Sequence, residues 1–175
     1  MNFCSRFLRL PVLPWCRDTQ PTNQRGTLTC KRTRCKTCPF ISNTAKISGP
    51  NRSVKVTDHF TCISKNVIYC ITGTLCKKIY IGETGRRLAN LFLRDVKNNT
   101  SASKPVARHF NLPNHSHQNM TICGLSLHHG NTESGKNLEE KFIFQLGTLS
   151  PHGIFFTARR CSRKRCANLL PVSPM

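Results

Sequence analysis

Residues 67–96 read VIYCITGTLCKKIYIGETGRRLANLFLRDV. Two β-branched, aromatic-rich segments, NVIYCIT and KKIYIGE, flank a turn that contains Gly73. That pattern predicts a hairpin over residues 66–84. The chain has 2 tyrosines, Tyr69 and Tyr80, and each strand of the hairpin carries one. Beyond Thr84, a capping residue type, Leu88, Leu91, Phe92 and Val96 recur at helical spacing and predict a helix.

Working outward, KPVARHF reads as a short helix with Pro105 at its first position. LPNHSHQN is a loop and MTICGLSLHH a strand. ESGKNLEEKFIFQLGTL is a helix, with Leu138, Phe142 and Leu146 on one stripe and Gly147 near its end. The order β, β, α, short α, β, α implies a small α/β (α+β) domain with a short, partly antiparallel three-stranded sheet flanked by helices. Upstream, residues 30–65 are rich in cysteine and basic side chains. They read as a loop-rich, metal-stapled segment with one short strand, Ser53 to Thr57. Residues 1–29 contain Pro11, Pro14 and Pro21, lack a sustained period and read as a flexible leader. Residues 155–175, with RRCSRKRC inside, read as a basic disordered tail.

Composition narrows the function classes. The chain carries 27 Lys+Arg against 7 Asp+Glu, a net charge of +20. Such an excess repels itself in a compact state, so it points to a polyanionic partner, with nucleic acid ahead of an anionic membrane surface. No apolar run reaches the ~20 residues that span a bilayer. The 11 cysteines are odd in number, and the N-terminus is a poor signal peptide, interrupted by Arg6 and Arg9. Those features read as reduced, intracellular thiols, some of them metal ligands.

Two groups have ligand spacing. In CKRTRCKTC, Cys35 and Cys38 form a C-x2-C pair, with Cys30 and the later Cys62 available to complete a tetrahedral zinc site. The alternative is a set of free thiols in a basic loop. The second group is Cys70 and Cys76 within the hairpin, with His109 and His115 downstream and His117 as the alternative to His115. Cys70 either ligates or points into the core. His128 and His129 read as strand-end surface residues.

VIY and YIG on consecutive strands, followed by YIGETGRRL, KPVARHFNLPNHS and LEEKFIFQLGTLSPHGI, resemble the GIY-YIG nuclease domain found at the C-terminus of Penelope-like retroelements. The resemblance covers about residues 30–154. It implies that Tyr69 and Tyr80 face a scissile phosphate and that Glu139, rather than its neighbour Glu140, holds a catalytic Mg2+. It implies phosphate or DNA contacts at Gly82, Arg86, Lys77 and Lys78, and a Cys2His2 zinc site drawn from the hairpin and the downstream histidines. The partner would be DNA, in the nucleus, alongside an upstream reverse transcriptase of the parent element. The chain departs from the pattern where an arginine should steady the phosphate. Those positions hold Asn90 and Leu91, the helix looks shortened, and Arg87 and Arg94 are the nearest substitutes. Three functions follow as alternatives. They are a metal-dependent endonuclease that nicks DNA with impaired efficiency, an inactive zinc-stabilised DNA-binding remnant, and a non-catalytic zinc module for RNA or protein in which both tyrosines are cross-strand packing residues.

Overall fold

The computed structural model describes residues 25–91 and 104–154. The predicted hairpin forms as β5 (Val67–Gly73) and β6 (Ile79–Thr84), antiparallel, with Tyr69 opposite Gly82 and Ile71 opposite Tyr80. The predicted third strand is β7 (Met120–Leu127), which pairs antiparallel with β5. The sheet order is therefore β6-β5-β7, and this sheet is antiparallel throughout. Its central strand is buried at nearly every position, as a strand covered on both faces must be. Both outer edges are partly covered: Ile41 bridges to Ile122, and Gly153 bridges to Ile79. Such cover keeps edge N–H and C=O groups from pairing with another chain.

Three helices accompany the sheet among the described residues: α1 (Leu88–Leu91), α2 (Pro105–Phe110) and α3 (Thr132–Leu146). Pro105 opens α2, as its fixed φ and missing N–H favour. Asn131 caps α3 by accepting from Ser134 N at 3.0 Å, and Gly147 ends it with φ 69°. The buried row of α3 differs from the expected stripe. It is Gly135, Glu139, Ile143 and Leu146, while Leu138 and Phe142 pack at its flank. Gly135 belongs there because its missing side chain lets the helix approach Glu83 and His128 closely. Thr84 does not cap α1. Its hydroxyl accepts from Arg86 N at 3.2 Å in a local turn.

The cysteine-rich region is not a separate appendage. It contains β2 (Lys46–Ser48) and β3 (Ser53–Lys55), an antiparallel hairpin, and β4 (His59–Thr61). The expected strand Ser53 to Thr57 is thus β3, ending at Lys55. The leader also stops short of residue 29, because β1 (Gly26–Leu28) pairs in parallel with β4. Ile47, Val56 and Phe60 join the same core as Ile68, Tyr69, Ile81 and Leu125.

The contact that fuses the two parts lies in one cross-strand row, Gly82–Tyr69–Gly124. Directly opposed residues share a sheet face. Tyr69 leans over Gly82 and the Phe60 ring lies over Gly124, each occupying the space a Cβ would take. The two glycines therefore make room for two aromatic rings on one face of the sheet. No helix among the described residues is long and apolar enough to cross a membrane. The leader up to residue 24 and the tail from residue 155 lie outside the described residues.

Candidate metal centres and the tyrosine row

The Cys4 group comes together as the spacing predicts. Cys30, Cys35, Cys38 and Cys62 place their sulfurs within 4.8 Å of one another. The Cys38 sulfur lies 3.5 Å from that of Cys30 and 3.5 Å from that of Cys62. A disulfide would need about 2.05 Å. Tetrahedral zinc with Zn–S near 2.3 Å has sulfur–sulfur edges of about 3.8 Å. The observed spacing fits metal sharing, and the four thiols are positioned to hold a metal ion compatible with structural zinc.

Local structure explains the arrangement. Lys31, with φ 55°, redirects the chain just after Cys30. Cys38 opens a one-turn 3-10 helix, Cys38–Phe40, with Pro39 in its first turn. Cys62 follows β4 directly. Burial works to raise the Cys35 thiol, but bonds from the Thr37 and Cys38 backbone, with side-chain bonds to Cys38 and Cys30, bring it down to about 7. Burial pushes the Cys62 and Cys38 thiols up. Cys35 is therefore the thiol of the group that most readily gives the thiolate form a metal would need.

This centre also organises the segment after β6. The Cys62 and Ser64 carbonyls accept from Ala89 N and Leu88 N at 2.8 and 2.9 Å. The Thr37 hydroxyl donates to Ala89 O at 2.8 Å. Two N–H groups that a helix start leaves unpaired are thus satisfied by the cysteine-bearing loop and the residues next to it.

The second group is Cys76, His109 and His115, with donor atoms within 4.8 Å. Cys76 lies 3.3 Å from His109 Nε2, and the two imidazole centroids are 4.5 Å apart. Burial, with the charges of His115 and Lys78, lowers His109 to about 4, so its imidazole is neutral at pH 7 and suited to a metal. Cys70 is not part of this group, and neither is His117. Cys70 sits opposite Cys123 on β7 and points into the core, 3.6 Å from the Thr72 hydroxyl, with burial pushing its thiol up to about 12. Strand alternation turns it away from the site.

The tyrosines meet across the hairpin, with ring centroids 6.2 Å apart and planes tilted by 37°. Tyr69 is 1% exposed and Tyr80 6%. Glu139 is buried at 8% exposure on α3, the helix that packs against β6. It belongs to no group of three candidate ligands among the described residues. Arg86, Arg87 and Lys77 are exposed and Lys78 is half-buried. Asn90 is exposed, whereas Leu91 is a core residue. Arg94 lies outside the described residues.

One pair escaped the sequence reading. His128, expected at the surface, is buried, with Nε2 3.2 Å from Glu83 Oε1. His129 is exposed, as expected. No protein-family model, curated protein or solved structure matches the chain.

Proposed function

We propose that this chain is a metal-stapled DNA-binding domain of the GIY-YIG nuclease kind, derived from a retroelement, whose phosphodiester-cleaving centre is impaired. The observation that carries the reading is the tyrosine pair, which adjacent strands bring together beside Gly82. A net charge of +20 supports the partner, since Lys and Arg side chains displace counterions from phosphates. Exposed Lys77, Arg86 and Arg87 are available for such contacts. The Cys4 group would hold zinc in a structural role, worth on the order of 10 kcal/mol in a small module. Glu139 would be the carboxylate donor to a Mg2+, which would supply Lewis-acid chemistry at the phosphate. The place of action would be the nucleus, beside the reverse transcriptase of the parent element.

Impairment follows from what occupies the clamp positions. Asn90 offers a neutral amide and Leu91 is packed in the core. Loss of one preorganised donor to a developing oxyanion costs about 100- to 1000-fold in rate. Supercoiled plasmid incubated with the protein and Mg2+ tests both halves. Expected are DNA binding that weakens steeply with salt and slow nicking that Glu139→Ala abolishes. Absence of binding at low salt refutes the partner. Nicking at ordinary enzymatic rates, abolished by Glu139→Ala, refutes the impairment.

A further inference from the structure

We propose that Cys76, His109 and His115 form a metal centre with three protein ligands and a fourth position open to a monodentate anion from solution. The inference stands apart from whether the domain cleaves DNA.

Each donor is held by its own local device. Cys76 lies in the β5–β6 turn, which Gly73 N closes onto Lys78 O at 3.0 Å and Lys77 N closes onto Gly73 O at 2.9 Å. Thr74 N anchors the same turn to Asn119 O at 2.9 Å. His109 is carried by α2, whose Val106 and Phe110 are fixed in the core. His115 follows in the next loop, its Nδ1 3.0 Å from Pro113 O. A carbonyl only accepts, so Nδ1 donates to it, which leaves Nε2 as the nitrogen available to a metal. Orientation of a histidine through its other nitrogen is the usual outer support of a metal ligand.

Three protein donors leave a tetrahedral ion one ligand short. Among the described residues no fourth His, Cys, Asp or Glu joins the group. The nearest thiol in sequence, Cys70, is turned into the core. Gly73 faces the Cys76 sulfur, since a Cβ added to it would come to 2.5 Å from that atom. That position therefore presents backbone and no donor. Cys76 and His115 are each half-buried, so the group is not sealed from solvent. A thiolate and two neutral imidazoles leave a divalent ion with a net positive charge, which favours an anion such as hydroxide in the remaining position. The Cys4 centre, by contrast, supplies four thiols itself and is closed.

Cobalt substitution of the full chain, with azide as the probe, tests this. Native mass spectrometry is expected to count two cobalt ions per chain. Azide is expected to change the visible absorption of one of them. Cys76→Ala, and separately His115→Ala, should each lose one equivalent of metal together with the azide response, leaving the thiolate-to-cobalt absorption of the Cys4 centre. A single metal per chain overturns the proposal. So does a two-metal spectrum that ignores azide, because a fourth protein ligand then closes the site. An azide response that survives Cys76→Ala also overturns it.

Discussion

The contact between Phe60 and Gly124 is the place to test whether the cysteine-rich region and the sheet form one cooperative unit. Phe60 is fully buried and its ring carbons Cγ, Cδ1 and Cδ2 all lie within 3.0 Å of where a Cβ on Gly124 would sit. A flat ring with no exposed edge cannot swing aside, so Gly124→Ala overpacks the row and should cost about 1–3 kcal/mol. Phe60→Ala removes the ring and should cost about 3–5 kcal/mol. The double variant is the informative one. With the ring gone, the new methyl enters the space it vacated, so the two penalties should fall short of their sum by roughly 1–3 kcal/mol. Urea unfolding of the zinc-saturated protein, followed by circular dichroism, measures all three. The Phe60→Ala loss is a large fraction of a typical stability of 5–15 kcal/mol, so zinc must be kept saturating throughout. Strict additivity, or a Gly124→Ala protein as stable as the parent, would show that Phe60 does not rest on Gly124 in solution.

Three further outcomes are expected. In protein stripped of metal, iodoacetamide should label Cys35 faster as pH rises through about 7, because its depressed pKa makes thiolate there first. Cys70, pushed up to about 12 by burial, should stay unlabelled until the protein unfolds, and peptide mapping reads both. Gly147→Ala should cost about 1–2 kcal/mol by thermal or urea unfolding, since it places a side chain at φ 69° and against Asn51. Glu83→Ala should cost about 1–3 kcal/mol, because it removes the partner of a buried histidine whose Nδ1 already has none. A Glu83→Ala protein of unchanged stability would mean that His128 reaches water.

What was legible in the chain was what local pattern encodes. The hairpin, β7, α2 and the end of α3 follow from β-branched and aromatic runs, the Gly73 turn, Pro105 and Gly147, all short-range signals. The Cys4 group was legible because three of its ligands lie within nine residues, Cys30 to Cys38. Non-local pairing was not legible: nothing near Gly26 announces that it will pair in parallel with His59. The row facing inward on α3 contains a glycine and a glutamate. A stripe drawn through its most apolar residues was therefore rotated onto Leu138 and Phe142. The ligand set of the second group turned on which way one strand residue points. Cys70 and Cys76 share a hairpin, but Cys70 is in register with Cys123, whereas Cys76 lies in the turn beyond the ladder. Gly124 carries a signal of its own, since a glycine inside a strand often marks a close approach of something large, here the Phe60 ring.

The proposed impairment is better understood as a matter of register than as the loss of one arginine. The first N–H groups of α1 are tied to Cys62 and Ser64, and the Ala89 carbonyl is tied to Thr37. Those residues belong to the cysteine-bearing loop or adjoin it, so that loop fixes where the helix begins and how it is rotated. With that rotation, Leu88 and Leu91 descend into the core and Asn90 faces solvent. An arginine placed at position 91 would enter an apolar environment at 2% exposure, where an unpaired charge costs several kcal/mol. A clamp cannot simply be restored at that position while the Cys4 centre holds the helix in place. The same bonds that stabilise the start of α1 thus commit its inner face to packing, so on the proposed reading a phosphate-binding cation would have to stand at a position other than 91.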